Sequence, residues 1–146
     1  MRIYLDNCCF NRPFDDQSSI RIRLETEAKL FIQQNILHGT LILVWSYILD
    51  YENNFNPFEE RRVAIELWKN NAVINVLETS EVISIAQSLQ EYGIKSKDAL
   101  HVACAISSTC DYFISTDDLV LKKLAGFNRI QVINPRNFVD LLETNL

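Results

Sequence analysis

The sequence has little of what a membrane span, a disulfide scaffold or a basic nucleic-acid arm requires. Its 146 residues include three glycines and three prolines, so there is little room for long linkers or low-complexity segments. The longest apolar run, Leu41 to Leu49, is interrupted by Ser46 and falls short of the ~20 residues that cross a bilayer. The first residues carry no signal-peptide pattern, because Asp6, Asn7, Asn11 and Arg12 break any apolar stretch. A cytosolic protein is therefore expected. Cysteine is sparse (Cys8, Cys9, Cys104 and Cys110) and forms no C-x-x-C; histidine is limited to His38 and His101. That inventory argues against a structural zinc site, and in a reducing compartment the thiols stay free. Cys8-Cys9 reads as two small side chains packed beneath the first strand rather than as a redox pair. Positive charge is also scarce. Fourteen Lys and Arg face 19 Asp and Glu, for a formal charge of −5 and a pI near 5.0, with no basic half. Bulk electrostatic binding of nucleic acid is excluded. An enzyme acting on nucleic acid through a local acidic site, with metal ions supplying the positive charge, is not.

With 48% apolar and 23% charged residues, the chain has the composition of one folded domain over 1–146. Arg2 to Leu5 reads as a strand ending at Asp6, and Asn7 to Ser19 as a polar loop broken by Pro13. Ile20 to Leu37 reads as a helix with an apolar stripe of Ile22, Leu24, Ala28, Leu30 and Phe31, stopped by Gly39. Leu41 to Trp45 is a buried strand, and Ser46 an N-cap for a helix to about Asn53. Asn56-Pro57 punctuates before an amphipathic helix around Pro57 to Asn70. Ala72 to Leu77 is strand-like. Ser80 is expected to cap a helix to Tyr92, with Gly93 at its end, and Ser96 to cap the next, Lys97 to about Ser108. Strands at Tyr112 to Ser115 and Ile130 to Ile133 bracket a helix from Asp118 to Ala125, and Pro135 opens a last helix. This alternation specifies an α/β fold with a mostly parallel sheet covered on both faces. Ligands of such sheets bind beyond the carboxyl ends of the strands.

Acids sit where that rule looks for them. Asp6 ends the first strand, Asp117 follows the strand at Tyr112, Glu52 lies in the helix after the second strand, and Asp98 in the first turn after Ser96. Four gathered carboxylates raise one another's pKa unless a cation neutralises them. Oxygen donors without supporting His or Cys suit Mg²⁺ or Mn²⁺. Each acid also has a plain alternative: Asp98 as a helix-dipole residue, Glu52 as a solvated one, Asp117-Asp118 as a cap. Asp6 is the hardest to dismiss, since an acid in apolar surroundings needs a partner.

The segments Ile3-Tyr4-Leu5-Asp6, Ser46 to Glu52, Lys97-Asp98-Ala99-Leu100-His101-Val102-Ala103 and Phe113-Ile114-Ser115-Thr116-Asp117, with Asn134-Pro135 and Phe138, resemble in order and spacing a PIN domain of the VapC-type toxin ribonucleases. The resemblance implies a Rossmann-like fold and metal-dependent endonucleolytic cleavage of RNA. It implies Asp6, Glu52, Asp98 and Asp117 as catalytic and metal-binding acids, with Mg²⁺ or Mn²⁺ as cofactor. Ser115 or Thr116 would orient an acid or a water. It further implies an antitoxin partner and a homodimer, with the helix from Pro57 to Asn70 as a candidate docking surface. The segment Asn7 to Ser19 is longer than the short connection expected of compact toxins. Asn7 and Asn11 either support Asp6 or form the turn. Arg12, Lys95 and Lys97 flank the crevice and either hold phosphates or are ordinary surface charge. His101, on the Asp98 face of its helix, either contacts substrate or is packed and hydrogen-bonded. Glu25 and Glu27 with Arg21 and Arg23 read as pairs on an exposed helix, Glu25 alternatively as an extension of the acidic site. Trp45 and Trp68 read as core or interface. A non-catalytic module of the same fold that binds RNA or protein is the second reading. A receiver-type phosphoryl-transfer domain would want an acceptor Asp on a middle strand and a Lys at a late strand end, and neither is placed.

Overall fold

The near-continuous apolar runs become strands buried on both faces, as parallel sheets require. The computed structural model describes residues 1–144. In chain order the elements are β1 (Arg2–Leu5), α1 (Asn7–Asn11), α2 (Ile20–Leu37), β2 (Ile42–Ser46), α3 (Tyr47–Asn54), α4 (Glu59–Trp68), β3 (Ala72–Val76), α5 (Ser80–Leu89), α6 (Ser96–Ser107), β4 (Tyr112–Ile114), α7 (Asp118–Lys123), β5 (Gln131–Ile133) and α8 (Pro135–Thr144). The sheet order is β3-β2-β1-β4-β5 and every pairing is parallel. Ile3, Tyr4 and Leu5 of β1, Leu43, Val44 and Trp45 of β2, and Phe113 and Ile114 of β4 are all fully buried. The edge strand β3 alternates instead, with Val73 exposed while Ala72 and Ile74 pack against the core.

The chain leaves β1 toward β2 and β3 on one side, then returns to β4 on the other. The carboxyl ends of β1 and β4 thus flank the topological switch point, where α/β sheets open a crevice. Leu5 pairs with Ile114, and the Asp6 amide donates to the Ile114 carbonyl at 2.9 Å, so the residues after both strands leave the same edge together.

Several local expectations are corrected. Asn7 to Ser19 is not an irregular loop. Asp6 caps α1 by accepting from the Asn7 amide, and a 3₁₀ turn over Arg12–Phe14 follows, with Pro13 early in it where its missing N–H costs nothing. The buried face of α2 is Glu25, Ala28, Lys29, Ile32 and Ile36, while Leu24 and Leu30 are largely exposed. Two charged residues inside that face hide its period from a count of apolar residues. Thr79, not Ser80, caps α5, its hydroxyl accepting from the Val82 amide at 3.1 Å. Lys95 precedes α6 without a side-chain cap, and Ser96 Oγ accepts from Gln90 Nε2 instead. Ser46 does cap α3, accepting from the Leu49 amide at 3.3 Å. Gly93 ends the turn after α5 at φ 81°, a left-handed conformation that costs glycine no Cβ clash.

Candidate functional site: an acidic crevice at the switch point

Asp6 is fixed from two sides. Its Oδ1 accepts from the Asn7 amide at 2.8 Å, and its Oδ2 from Ser115 Oγ at 2.8 Å; only 5% of the residue is exposed. The Ser115 hydroxyl also accepts from the Asp117 amide at 3.0 Å, so one side chain ties the end of β1 to the turn after β4. Ser115, rather than Thr116, orients the acid. The Thr116 amide instead donates to Cys8 Sγ at 3.4 Å, and Cys9 Sγ donates to the Ile114 carbonyl at 3.3 Å. All four cysteines are free thiols, and the Cys8-Cys9 pair, expected beneath the first strand, sits in α1 with its thiols against the end of β4.

Glu52 reaches the same place from α3. Asn7 Nδ2 donates to its Oε2 at 3.0 Å, and His101 Nε2 lies 2.7 Å from its Oε1. Asn7 thus supports both acids, Asp6 through its backbone amide and Glu52 through its side chain. Burial opposes the Glu52 charge, but the hydrogen bond and positive charge at His101, with Lys97 and Asn7, outweigh it and hold the carboxyl below its ordinary value. His101 is buried completely and hydrogen-bonded, the packed alternative of its two readings and not the substrate-contacting one. Its Nδ1 is 2.6 Å from Tyr4 Oη, and Tyr4 Oη is 2.6 Å from Ser46 Oγ. With Nε2 donating to the carboxylate, the neutral ring accepts at Nδ1 from the Tyr4 hydroxyl, which accepts from Ser46; the protonated ring donates at Nδ1 to Tyr4, which then donates to Ser46. Burial pulls the imidazole pKa down, but Glu52, Asp6 and Asp98 more than restore it, and it lies above the ordinary histidine value.

Asp98 and Asp117 complete the edge. They line a small cleft of about 40 Å³ with Lys95, Val120 and Lys123. Burial, then the charges of Asp6 and Asp117, push the Asp98 carboxyl up to about 6. Asp117 Oδ1 caps α7, accepting from the Leu119 amide at 2.9 Å and from Val120 at 3.4 Å. Asp118 turns outward to Arg21, 2.7 Å away. Among the described residues, no three His, Cys, Asp or Glu side chains stand close enough to form a ready-made metal cage. Asp6, Glu52 and Asp117 are each turned to protein donors. The chemistry of the set nevertheless suits a hard cation: the acids offer oxygen alone, and Asn7 Oδ1 is buried beside Glu52 with no hydrogen-bond partner.

The cations divide. Lys95 and Lys97 are exposed at the rim, where phosphate contact remains open. Arg12 does not flank the crevice as a free cation; its Nη1 is 3.1 Å from Asp15 and its Nε 3.2 Å from Glu25. Glu25 is in turn 2% exposed and pairs with Arg21 at 3.5 Å, so it belongs to this ion cluster and neither extends the acidic site nor lies on an open helix face. Tyr4 was not legible as part of the site. Its signal was a tyrosine inside an otherwise apolar central strand, whose hydroxyl must find a partner once buried.

A parallel α/β sheet with four carboxylates at its switch point defines a class of acidic-crevice domains. Comparison with known proteins narrows it. The PIN domain family model matches residues 3–126. The chain belongs to the PIN domain family. A solved structure of VapBC2 from Rickettsia felis, bound to a DNA fragment from its promoter, contains a chain similar in fold, with a TM-score of 0.59 and 12% identity. The match covers 92% of this chain and 98% of that one. No curated protein sequence matches.

Proposed function

We propose that this chain is a divalent-metal-dependent endoribonuclease that hydrolyses RNA phosphodiester bonds, acting as the toxin of a toxin–antitoxin pair. The observation that carries the reading is the gathering of Asp6, Glu52, Asp98 and Asp117 at one sheet edge, with the Asp98 carboxyl raised by burial and by its acidic neighbours. Membership in the PIN family and the fold shared with a VapBC2 chain support it. Asp6, Asp98, Asp117 and Glu52 would hold Mg²⁺ or Mn²⁺. Such an ion neutralises phosphate charge and makes a bound water more acidic. Asn7, Ser115 and the buried His101 orient the acids, while Lys95 and Lys97 meet the RNA backbone. An antitoxin, with α4 as a docking surface, a homodimer and a cytoplasmic setting belong to the same reading. No helix among the described residues is long and apolar enough to cross a membrane.

The test is incubation of the full chain with mixed-sequence RNA and Mn²⁺ or Mg²⁺, with a chelator control, beside Asp6→Asn and Asp98→Asn. Cleavage lost with chelator and in both variants is the expected result. RNA binding that is indifferent to metal and to both substitutions, without cleavage, would transfer the case to a non-catalytic binding module.

A further inference from the structure

Away from the acidic edge, a second site is built around one lysine. Lys29, in the middle of α2, is 3% exposed. Its Nζ lies 5.3 Å from the centroid of the Phe10 ring and 5.2 Å from that of Trp68. Among the described residues it makes no hydrogen bond and no ion pair, although an ammonium carries three donors. The acids of the adjoining segment are already engaged: Asp15 by Arg12 and Arg61, Glu25 by Arg12 and Arg21. Burial lowers the Lys29 pKa to about 8, against a small opposing effect of the Cys9 thiol. Two π faces lessen the cost of such an isolated cation but give its N–H groups no acceptor.

Lys29 lines a cavity of about 180 Å³, whose other walls are mostly apolar and include Phe14, Leu30, Ile65 and Trp68. The cavity is partly open to solvent, and roughly 150 Å³ is room enough for a benzene ring. We propose that this cavity binds a small aromatic carboxylate, its ring against the apolar walls and its carboxylate on Lys29 Nζ. An anion there pairs with an ammonium that no acceptor among the described residues holds, at a position largely shielded from water. The site does not use the acidic crevice, although α4 is also the docking surface of the reading above. Its walls come from α1, the turn after it, α2 and α4, and none of its residues is one of the four acids.

The probe is phenylacetate, titrated into the full chain by calorimetry or amide NMR, with benzyl alcohol as an uncharged analogue. Saturable binding in the millimolar range or tighter is expected, with resonances of α2 and α4 moving. Lys29→Met, which keeps the stem and removes the charge, should weaken it at least tenfold. Lys122→Met on the open surface of α7 should leave it unchanged, and benzyl alcohol should bind at least tenfold more weakly than phenylacetate. A second measurement does not depend on a variant: reductive methylation of the wild-type chain, read by peptide mass, should be slowed by phenylacetate at Lys29 and not at the exposed lysines. Equal affinity for the acid and the alcohol, unaltered binding in Lys29→Met, or methylation of Lys29 indifferent to phenylacetate would each overturn the proposal.

Discussion

His101 serves Glu52 on one side and Tyr4 on the other, so its loss strands two buried polar groups at once. His101→Phe keeps a planar ring and removes both contacts. It should lower unfolding stability by about 2–4 kcal/mol, read as a shift in urea midpoint at unchanged m-value. The pH dependence has a definite sign on each flank. Glu52 has a depressed folded pKa, so its contribution is present above the ordinary carboxylate value and lost as pH falls through the folded one. His101 has a raised folded pKa, so its contribution is complete below the ordinary histidine value and lost as pH rises through the folded one. The stability gap between wild type and His101→Phe should therefore be widest in mildly acidic solution and narrow on both sides. Asp98 behaves in the opposite sense to Glu52. Its proton is held up to about pH 6, and the stability tied to that proton is lost as pH rises through that value. At neutral pH without metal, Asp98→Asn should stabilise the fold by about 1–2 kcal/mol, discounted for partial solvent exposure. The check is thermal unfolding of both proteins in chelator. A variant less stable than wild type would mean that Asp98 is held by favourable contacts instead of crowded by its fellow acids.

At the scale of elements, two roles overlap in Asp117, which caps α7 and faces the acidic cleft. Asn caps nearly as well as Asp, whereas Ala does not. Asp117→Asn should therefore keep thermal stability within a few tenths of a kcal/mol, while Asp117→Ala loses about 1 kcal/mol. Both should lose any stabilisation by Mn²⁺. The corrected caps give a parallel contrast: Thr79→Ala should cost about 1 kcal/mol, and Ser80→Ala much less. That correction exposes what a linear reading misses. Thr79 and Ser80 are equally good caps by composition, and only the backbone direction at the turn decides which hydroxyl meets the Val82 amide. The same holds for α2, whose ends were placed correctly at Ile20 and Leu37 while its inward face was not. Glu25 and Lys29 look like solvent residues until Arg12, Phe10 and Trp68 arrive from other elements to surround them.

At the scale of the whole molecule, the sheet is complete only with residues beyond the matched family segment. β5 pairs with β4, and Phe138 of α8 is fully buried, its ring 5.2 Å from that of Tyr112. A chain ending at Gly126 would leave β4 as an open edge and remove that covering ring. It should lose cooperative unfolding by circular dichroism and become prone to aggregation; a sharp transition like that of the full chain would show that the core closes without α8. Metal response also belongs to this scale, because the four acids come from four separate segments. Mn²⁺ should raise the melting temperature of the wild type through preferential binding to the folded state, and leave Asp6→Asn unmoved.

Much of this architecture lies in the local sequence. The apolar runs specify parallel strands because a strand buried on both faces leaves no place for polar alternation. Asp6 and Asp117 follow strands and Asp98 lies in the first turn of α6, positions the carboxyl-end rule points to, whereas Glu52 lies inside α3 and its place near them comes from the packing of that helix. Local sequence did not determine which polar groups would be enclosed. Tyr4, Ser46, His101, Glu25 and Lys29 are far apart along the chain, and their partners are set by the sheet order and by the helices packed over it. A charged or hydroxyl side chain is neutral information until its surroundings fix its dielectric and its acceptors. Only the tertiary structure made His101 the holder of Glu52, gave Arg12 to Asp15 and Glu25, and set Lys29 between two aromatic rings with no acceptor among the described residues.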